Sequence, residues 1–218
     1  MRGENMRYLS YNSGMTRFYE HFQLAALAVF LLLFIGRSIY LRTVRRVNPL
    51  RIARGKPLPE ALLEGLLLIA LPVWLYEVLA FAWPLPWHLI PESLGIVMFE
   101  SGLARALGAL LVVSGLALFA LALAAFGDGW RVGIDTERPG ELVNRGVFGI
   151  SRNPIFVFMN AYAVGTFLLS GRLVFLIFAL LSIAALHSQI RREEAFLEGA
   201  YGEAYRAYRT ATPRYLLW

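Results

Sequence analysis

The chain of 218 residues contains no cysteine and only three histidines, His21, His88 and His187. Disulfides, thiolate metal sites and cysteine nucleophiles are thereby excluded. The histidines are too scattered for any short metal motif, so no metal site is expected. Charge is also scarce. Only 17% of residues are charged while 58% are hydrophobic, against about 25% and 45–50% in a soluble domain. Mean hydropathy is +0.56. Disorder is excluded, an ordinary soluble globule is not expected, and the chain reads as an integral membrane protein.

What charge there is leans basic: 21 Lys and Arg against 15 Asp and Glu, a net charge of +6. The basic residues collect between apolar blocks, which points to a membrane surface and not to nucleic acid. A span needs about 20 mostly apolar residues. Five blocks approach this: Phe22–Leu41, Ala61–Trp83, Leu103–Phe126, Ile155–Leu169 and Leu173–Leu186. The last two are short, and Ser170-Gly171-Arg172 between them predicts a tight antiparallel helical hairpin. The first block is too long for a cleaved signal peptide and has no small-residue cleavage site after it.

Arg42, Arg45, Arg46, Arg51, Arg54 and Lys56 follow the first block, a positive-inside signal that places this loop in the cytoplasm. Arg131, Arg138, Arg145 and Arg152 precede the fourth block, and Arg191, Arg192, Arg206, Arg209 and Arg214 follow the fifth. Pro84 to Ser101 has no Lys or Arg and holds Trp87 close to Trp83. Five spans, a cytoplasmic C-terminus and an outer N-terminus fit these loops, with Arg2, Arg7 and Arg17 as a minority against. Pro72 is expected to kink the second helix. Glu77 in the same block is either a functional ionisable group or an outer-interface residue beside Trp74, Tyr76 and Trp83.

Polar residues gather in the C-terminal part, which divides the chain into spans one to three (1–126) and a functional region (127–218). Pro139, Gly140 and Gly146 signal a loop. Ser151-Arg152-Asn153-Pro154 then opens the fourth helix, with proline suited to its first turn. Free N–H groups there, together with Arg152, attract an anion. The fifth helix continues into Arg191, Arg192, Glu193 and Glu194. Helical spacing puts Glu194, Tyr201, Tyr205 and Tyr208 on one face. Ala200, Ala204, Ala207 and Ala211 line another, where close packing is expected. Gly199 and Gly202 weaken the helix, so a bend or end is expected near Gly202.

The pairing of Arg152-Asn153-Pro154-Ile155-Phe156 with Glu193-Glu194, Leu197, Tyr201-Gly202, Tyr205 and Tyr208 resembles the isoprenylcysteine carboxyl methyltransferase family, in the wider group that includes membrane phospholipid methyltransferases. The stretches Trp130–Asp135 and Leu142–Phe148 resemble the family's segment before that helix. Two positions depart from the pattern: Asn153 replaces the usual histidine and Phe156 the usual tyrosine. Phe158 stands where glycine is common and would narrow a substrate route.

The resemblance implies a largely helical membrane enzyme that uses S-adenosylmethionine at the cytoplasmic end of its C-terminal helices, on a lipophilic or lipid acceptor. The expected location is the cytoplasmic membrane of a prokaryote. Arg152, Asn153 and Glu194 are the expected catalytic residues. Val147, Phe148, Arg152, Asn153, Pro154, Phe156, His187, Arg191, Glu194 and Tyr205 are the expected cofactor contacts. Arg152 and the helix start suit the cofactor carboxylate, and Glu194 its ammonium or ribose diol. Phe148, Phe156 or Tyr205 could pack on its adenine. Gly127-x-Gly129-x-x-x-Gly133 has the wrong spacing for a dinucleotide fingerprint. Two rival readings are a membrane reductase of the sterol-reductase type using NADPH, and a non-catalytic membrane binding protein.

Overall fold

The computed structural model describes residues 2–46, 58–83, 85, 89–127 and 141–217. Arg51, Arg54 and Lys56 of the basic loop lie outside this set. So do Trp87, His88, Trp130–Asp135, Arg138, Pro139 and Gly140. The described residues form six helices: α1 (Arg2–Thr43), α2 (Leu58–Ala82), α3 (Gly102–Phe126), α4 (Pro154–Ser170), α5 (Leu173–Tyr201) and α6 (Glu203–Ala211). Among the described residues the only strand-like pairing is one isolated bridge, Val97 with Arg172.

Three helices are long and apolar enough to cross a bilayer: Arg17–Thr43 of α1, α3 and α5. Apolar stretches at Ile69–Ala82 of α2 and in α4 are shorter. α2 runs through Pro72 without interruption.

Local chemistry sets the helix ends. Ser101 caps α3, its hydroxyl oxygen accepting the Ala104 N–H at 3.3 Å. Pro154 opens α4, where its missing N–H removes no helical bond. α4 ends on Gly171 at φ 65°, and a Cβ there would lie 2.1 Å from the Phe99 carbonyl oxygen. That tight turn makes the expected α4–α5 hairpin. It is tied to the preceding loop by Met98 N–H to Gly171 O (2.8 Å) and Leu173 N–H to Ile96 O (2.9 Å).

α3 and α4 make the closest helix pair. A Cβ on Gly108 would sit 2.7 Å from the Gly165 carbonyl oxygen, and one on Gly165 would sit 2.7 Å from Val112 Cγ2. Small residues let backbones approach in a bilayer, where hydrophobic burial gives no drive for association. Beside this contact lies an aromatic core of Phe30, Phe119, Phe158 and Tyr162, with Phe119 and Phe158 stacked at 4.6 Å. Phe158 thus fills the bundle interior.

The bundle has two distinct ends. At one, Glu77 accepts the Leu89 N–H at 3.2 Å, which places this carboxylate against the loop that follows α2 and favours its interface reading. At the other, Arg37 of α1 donates to the Gly127 carbonyl at the end of α3, so α1 finishes on the side where α4 begins. Arg42 and Arg45 therefore share that side with Arg152.

Candidate active site

The turn Gly146–Gly149 leads into α4. Its Val147 and Phe148 are buried against Ala122 and Phe126 of α3, with Phe148 edge-on to Phe126 at 4.7 Å. This seats Ser151, Arg152 and Asn153 over the polar end of α5. The Arg152 Nε and Nη2 groups lie 3.1 and 3.0 Å from Glu194 Oε1. The pair is buried, with side chains 7% and 8% exposed. Asn153 Nδ2 donates to the same oxygen at 3.2 Å. Arg152, Asn153 and Glu194 are thus brought together, bonded to one another.

A second partner has no counterpart in the sequence reading. After α6, residues Thr212–Tyr215 fold back as a strap across the start of α4. Arg152 N–H donates to Pro213 O at 2.9 Å, and its Nη1 donates to Arg209 O at 2.8 Å and Thr212 O at 2.7 Å. The Arg214 carbonyl accepts from Ser151 Oγ (3.3 Å) and Asn153 Nδ2 (3.1 Å). Arg214 Nε and Nη2 close on Glu194 Oε2 at 3.0 and 2.8 Å. Tyr215 reaches His187, with its hydroxyl 2.7 Å from Nδ1.

This arrangement explains why asparagine can stand at position 153. Its amide offers two N–H donors, and both are used, on Glu194 and on the Arg214 carbonyl. A neutral imidazole has one. It also explains why Asn153, at the N-terminus of α4, makes no side-chain cap. The Arg152 guanidinium is likewise spent on Glu194 and two carbonyls. Both Glu194 oxygens are filled.

Electrostatics follow from this packing. The hydrogen bond to Glu194 pushes the Arg214 guanidinium still higher in its basic range. Burial, and then the Glu194 carboxylate, raise the Tyr205 phenol to about 12. Burial first and Tyr205 second raise Tyr208 as well. Tyr208 donates its O–H to Phe148 O at 2.7 Å, locking α6 to the turn before α4. Tyr205 is 1% exposed, and its hydroxyl has no hydrogen-bond partner among the described residues. It sits in the field of Glu194 and Arg152 as a buried group left for a partner the described chain does not supply.

The remaining expected contacts divide. Pro154 is buried at the head of α4, and Phe156 is half-buried in its first turn. Arg191 is exposed and lines a groove on α5 with His187. The helical face drawn through Tyr201, Tyr205 and Tyr208 is interrupted at Gly202, with φ 54°, where α5 stops and α6 starts. That break matches the expected bend. Ala200, Ala204, Ala207 and Ala211 are exposed, which corrects the close packing expected of them. The charged residues of α6 reach back to α5: Arg209 bonds Glu198 at 2.6 Å, and Arg206 bonds it at 3.1 Å. These bonds turn the short helix so that its tyrosines, and not its alanines, face inward.

No curated protein matches the chain. Residues 103–204, from α3 to the head of α6, match the phospholipid methyltransferase family. The match takes in Arg152, Asn153 and Glu194 and stops before Tyr205 and the strap. The segment that carries the site is thus similar to the phospholipid methyltransferases, in a group of membrane methyltransferases that includes the isoprenylcysteine carboxyl methyltransferases.

Proposed function

We propose that the protein transfers a methyl group from S-adenosylmethionine to a lipophilic acceptor at the membrane, using the polar centre at the junction of α4, α5 and the strap. When bound, S-adenosylmethionine supplies a methyl carbon made electrophilic by its sulfonium. The observation that carries the reading is the orphaned Tyr205 hydroxyl, buried beside Arg152 and Glu194 in a chain whose matched segment is that of a methyltransferase family.

The donor set fits the cofactor. It combines a buried carboxylate, a buried phenol and the aromatic Phe148, with no metal required. Glu194, fixed by Arg152, Asn153 and Arg214, gives the centre its negative charge, and the Tyr205 O–H offers it an unused hydrogen bond. Arg152 acts chiefly by holding Glu194 and the strap, because its donors are committed. The protein's main contribution to such a displacement is alignment, which can supply about 7–11 kcal/mol. A carboxylate acceptor needs no base. For an amine or thiol, His187, held by Tyr215, is the nearest candidate.

The membrane topology belongs to the same proposal. α1 to α5 each cross the bilayer, and the end bearing Arg152 faces the cytoplasm. α4 has 17 residues, about 26 Å of helix, so it falls about 4 Å short of a core of about 30 Å and crosses only where the bilayer thins around it. The absence of native cysteine makes single-cysteine labelling clean. Cysteine at position 206 should be shielded from an impermeant reagent in intact cells, and cysteine at 97 should be marked; the reverse pattern would refute the orientation.

Calorimetry of purified protein tests the activity reading. S-adenosylmethionine and S-adenosylhomocysteine should bind, and Tyr205→Phe should weaken both by about tenfold, the loss of one hydrogen bond of roughly 1.4 kcal/mol. Binding of NADPH in their place would overturn the assignment.

A further inference from the structure

The half of α5 that bears Glu194 carries a second feature, outside the cluster of Arg152, Asn153, Glu194 and Arg214. Ala184, His187, Ser188, Arg191, Arg192 and Ala195 line an open groove of about 440 Å³. At about 100° per residue, all six fall within roughly 140° of one helix face. Leu180 and Leu181 lie on that same face one turn nearer the bilayer centre, and they are 58% and 62% exposed. One continuous strip is therefore apolar at its lower end and basic at its upper end. About 16 Å of helix separate Leu180 from Arg191, the scale of the step from acyl chains to headgroup.

The two arginines are available in different ways. Arg192 shares one N–H with Gln189 Oε1 at 3.1 Å. Among the described residues, no carboxylate pairs with Arg191, which is exposed. The nearby acids Glu194 and Glu198 are occupied elsewhere, by Arg152 and Arg214 and by Arg206 and Arg209 respectively. The strap meets the groove at His187, and Tyr215 there is followed by Leu216 and Leu217, 51% and 82% exposed. Apolar surface thus borders the basic patch along the helix and at the strap.

We propose that this strip is a docking site for an anionic phospholipid, with the phosphate between Arg191, Arg192 and Ser188 and the acyl chains along Leu180, Leu181 and Ala184. Charge complementarity selects the occupant: two guanidinium groups and a hydroxyl match phosphate oxygens, and each basic residue at a membrane surface adds to attraction for anionic lipid. A soluble anion would have no use for the leucines below.

The test measures lipid retention by the full chain with no cofactor present, so its outcome is independent of the methyl-transfer reading. Protein from nanodiscs of equal phosphatidylglycerol and phosphatidylcholine is released for native mass spectrometry. Wild type should retain phosphatidylglycerol over phosphatidylcholine by about tenfold or more. The double variant Arg191→Gln, Arg192→Gln should lose the preference, and Arg191→Lys, Arg192→Lys should recover most of it, which separates charge from misfolding. Arg105→Gln, at the far end of α3, should keep it. No preference in wild type, an unchanged preference in the glutamine variant, or equal loss in Arg105→Gln would each overturn the proposal. Displacement of the lipid by millimolar inorganic phosphate alone would assign the groove to a free anion instead.

Discussion

Replacing Glu194 with glutamine keeps the shape of the side chain and removes its charge, which makes it a sharp probe of the polar centre. In the native arrangement five donors converge on the carboxylate: Arg152 Nε and Nη2 with Asn153 Nδ2 on one oxygen, and Arg214 Nε and Nη2 on the other. A glutamine amide can offer an acceptor to only one of these groups, so its NH2 must face the donors of the other. Breaking a buried ion pair by removing one partner costs about 3–5 kcal/mol. The Arg152 side of the site is buried to that standard, but the Arg214 side chain is 36% exposed and water screens its share. The lower end, about 3 kcal/mol, is the expected loss. For a chain of this size that corresponds to a fall in Tm of roughly 6–12 °C. Glu193 is only partly buried and receives none of these five donors, so Glu193→Gln leaves the cluster whole and should cost clearly less. Thermal unfolding followed by tryptophan fluorescence in one detergent compares the two. Equal Tm values for Glu194→Gln and Glu193→Gln would refute the reasoning, because they would mean that the converging donors contribute nothing.

Arg152→Lys keeps a positive charge but cannot serve Glu194, Arg209 O and Thr212 O together, so hydrogen exchange across 209–215 should quicken by about tenfold or more while exchange in α3 stays unchanged. Gly165→Ala drives a methyl into Val112 and the Gly108 carbonyl and should cost about 1–3 kcal/mol in thermal unfolding, whereas Gly36→Ala, with nothing within 4 Å, should be neutral or slightly stabilising. Tyr205 has a folded pKa of about 12 against 10 unfolded. Its contribution to stability is therefore full below pH 10 and lost as pH rises through about 12. Tyr205→Phe should flatten the decline in Tm over that window, and an unchanged slope would show that the phenol is not buried.

The sequence revealed the helices better than the closure of the site. Apolar runs placed α3 within one residue of its observed start, and Ser170-Gly171-Arg172 marked the α4–α5 turn because only a residue tolerant of positive φ fits under Phe99 O. Gly202 marked the break before α6 for a related reason. Glu194 could be separated from Glu193 by helical phase, and Arg152 could be set opposite it by resemblance. The strap was not legible. Four of its contacts pass through the carbonyls of Thr212, Pro213 and Arg214, and backbone carbonyls are the same in every residue. Only Arg214 and Tyr215 gave a side-chain signal, and both read equally well as basic and aromatic interface residues. The alanine stripe misled because spacing shows which residues share a face but not which face turns inward. Here Glu198, gripping Arg206 and Arg209, decides that.

The strap also bears on biogenesis. Arg152 and Glu194 flank the α4–α5 hairpin and can meet as soon as that hairpin forms, but Glu194 Oε2 and the Arg152 Nη1 group wait for residues made later. Arg214 follows Glu194 by twenty positions, roughly one to four seconds at about 5–20 residues per second of synthesis. For that interval the carboxylate is only half neutralised and open to water, so the polar end of the hairpin stays unsealed. Closure of the hairpin and sealing of its polar end are then separate events in time, the second completing a charge balance that the first leaves unfinished.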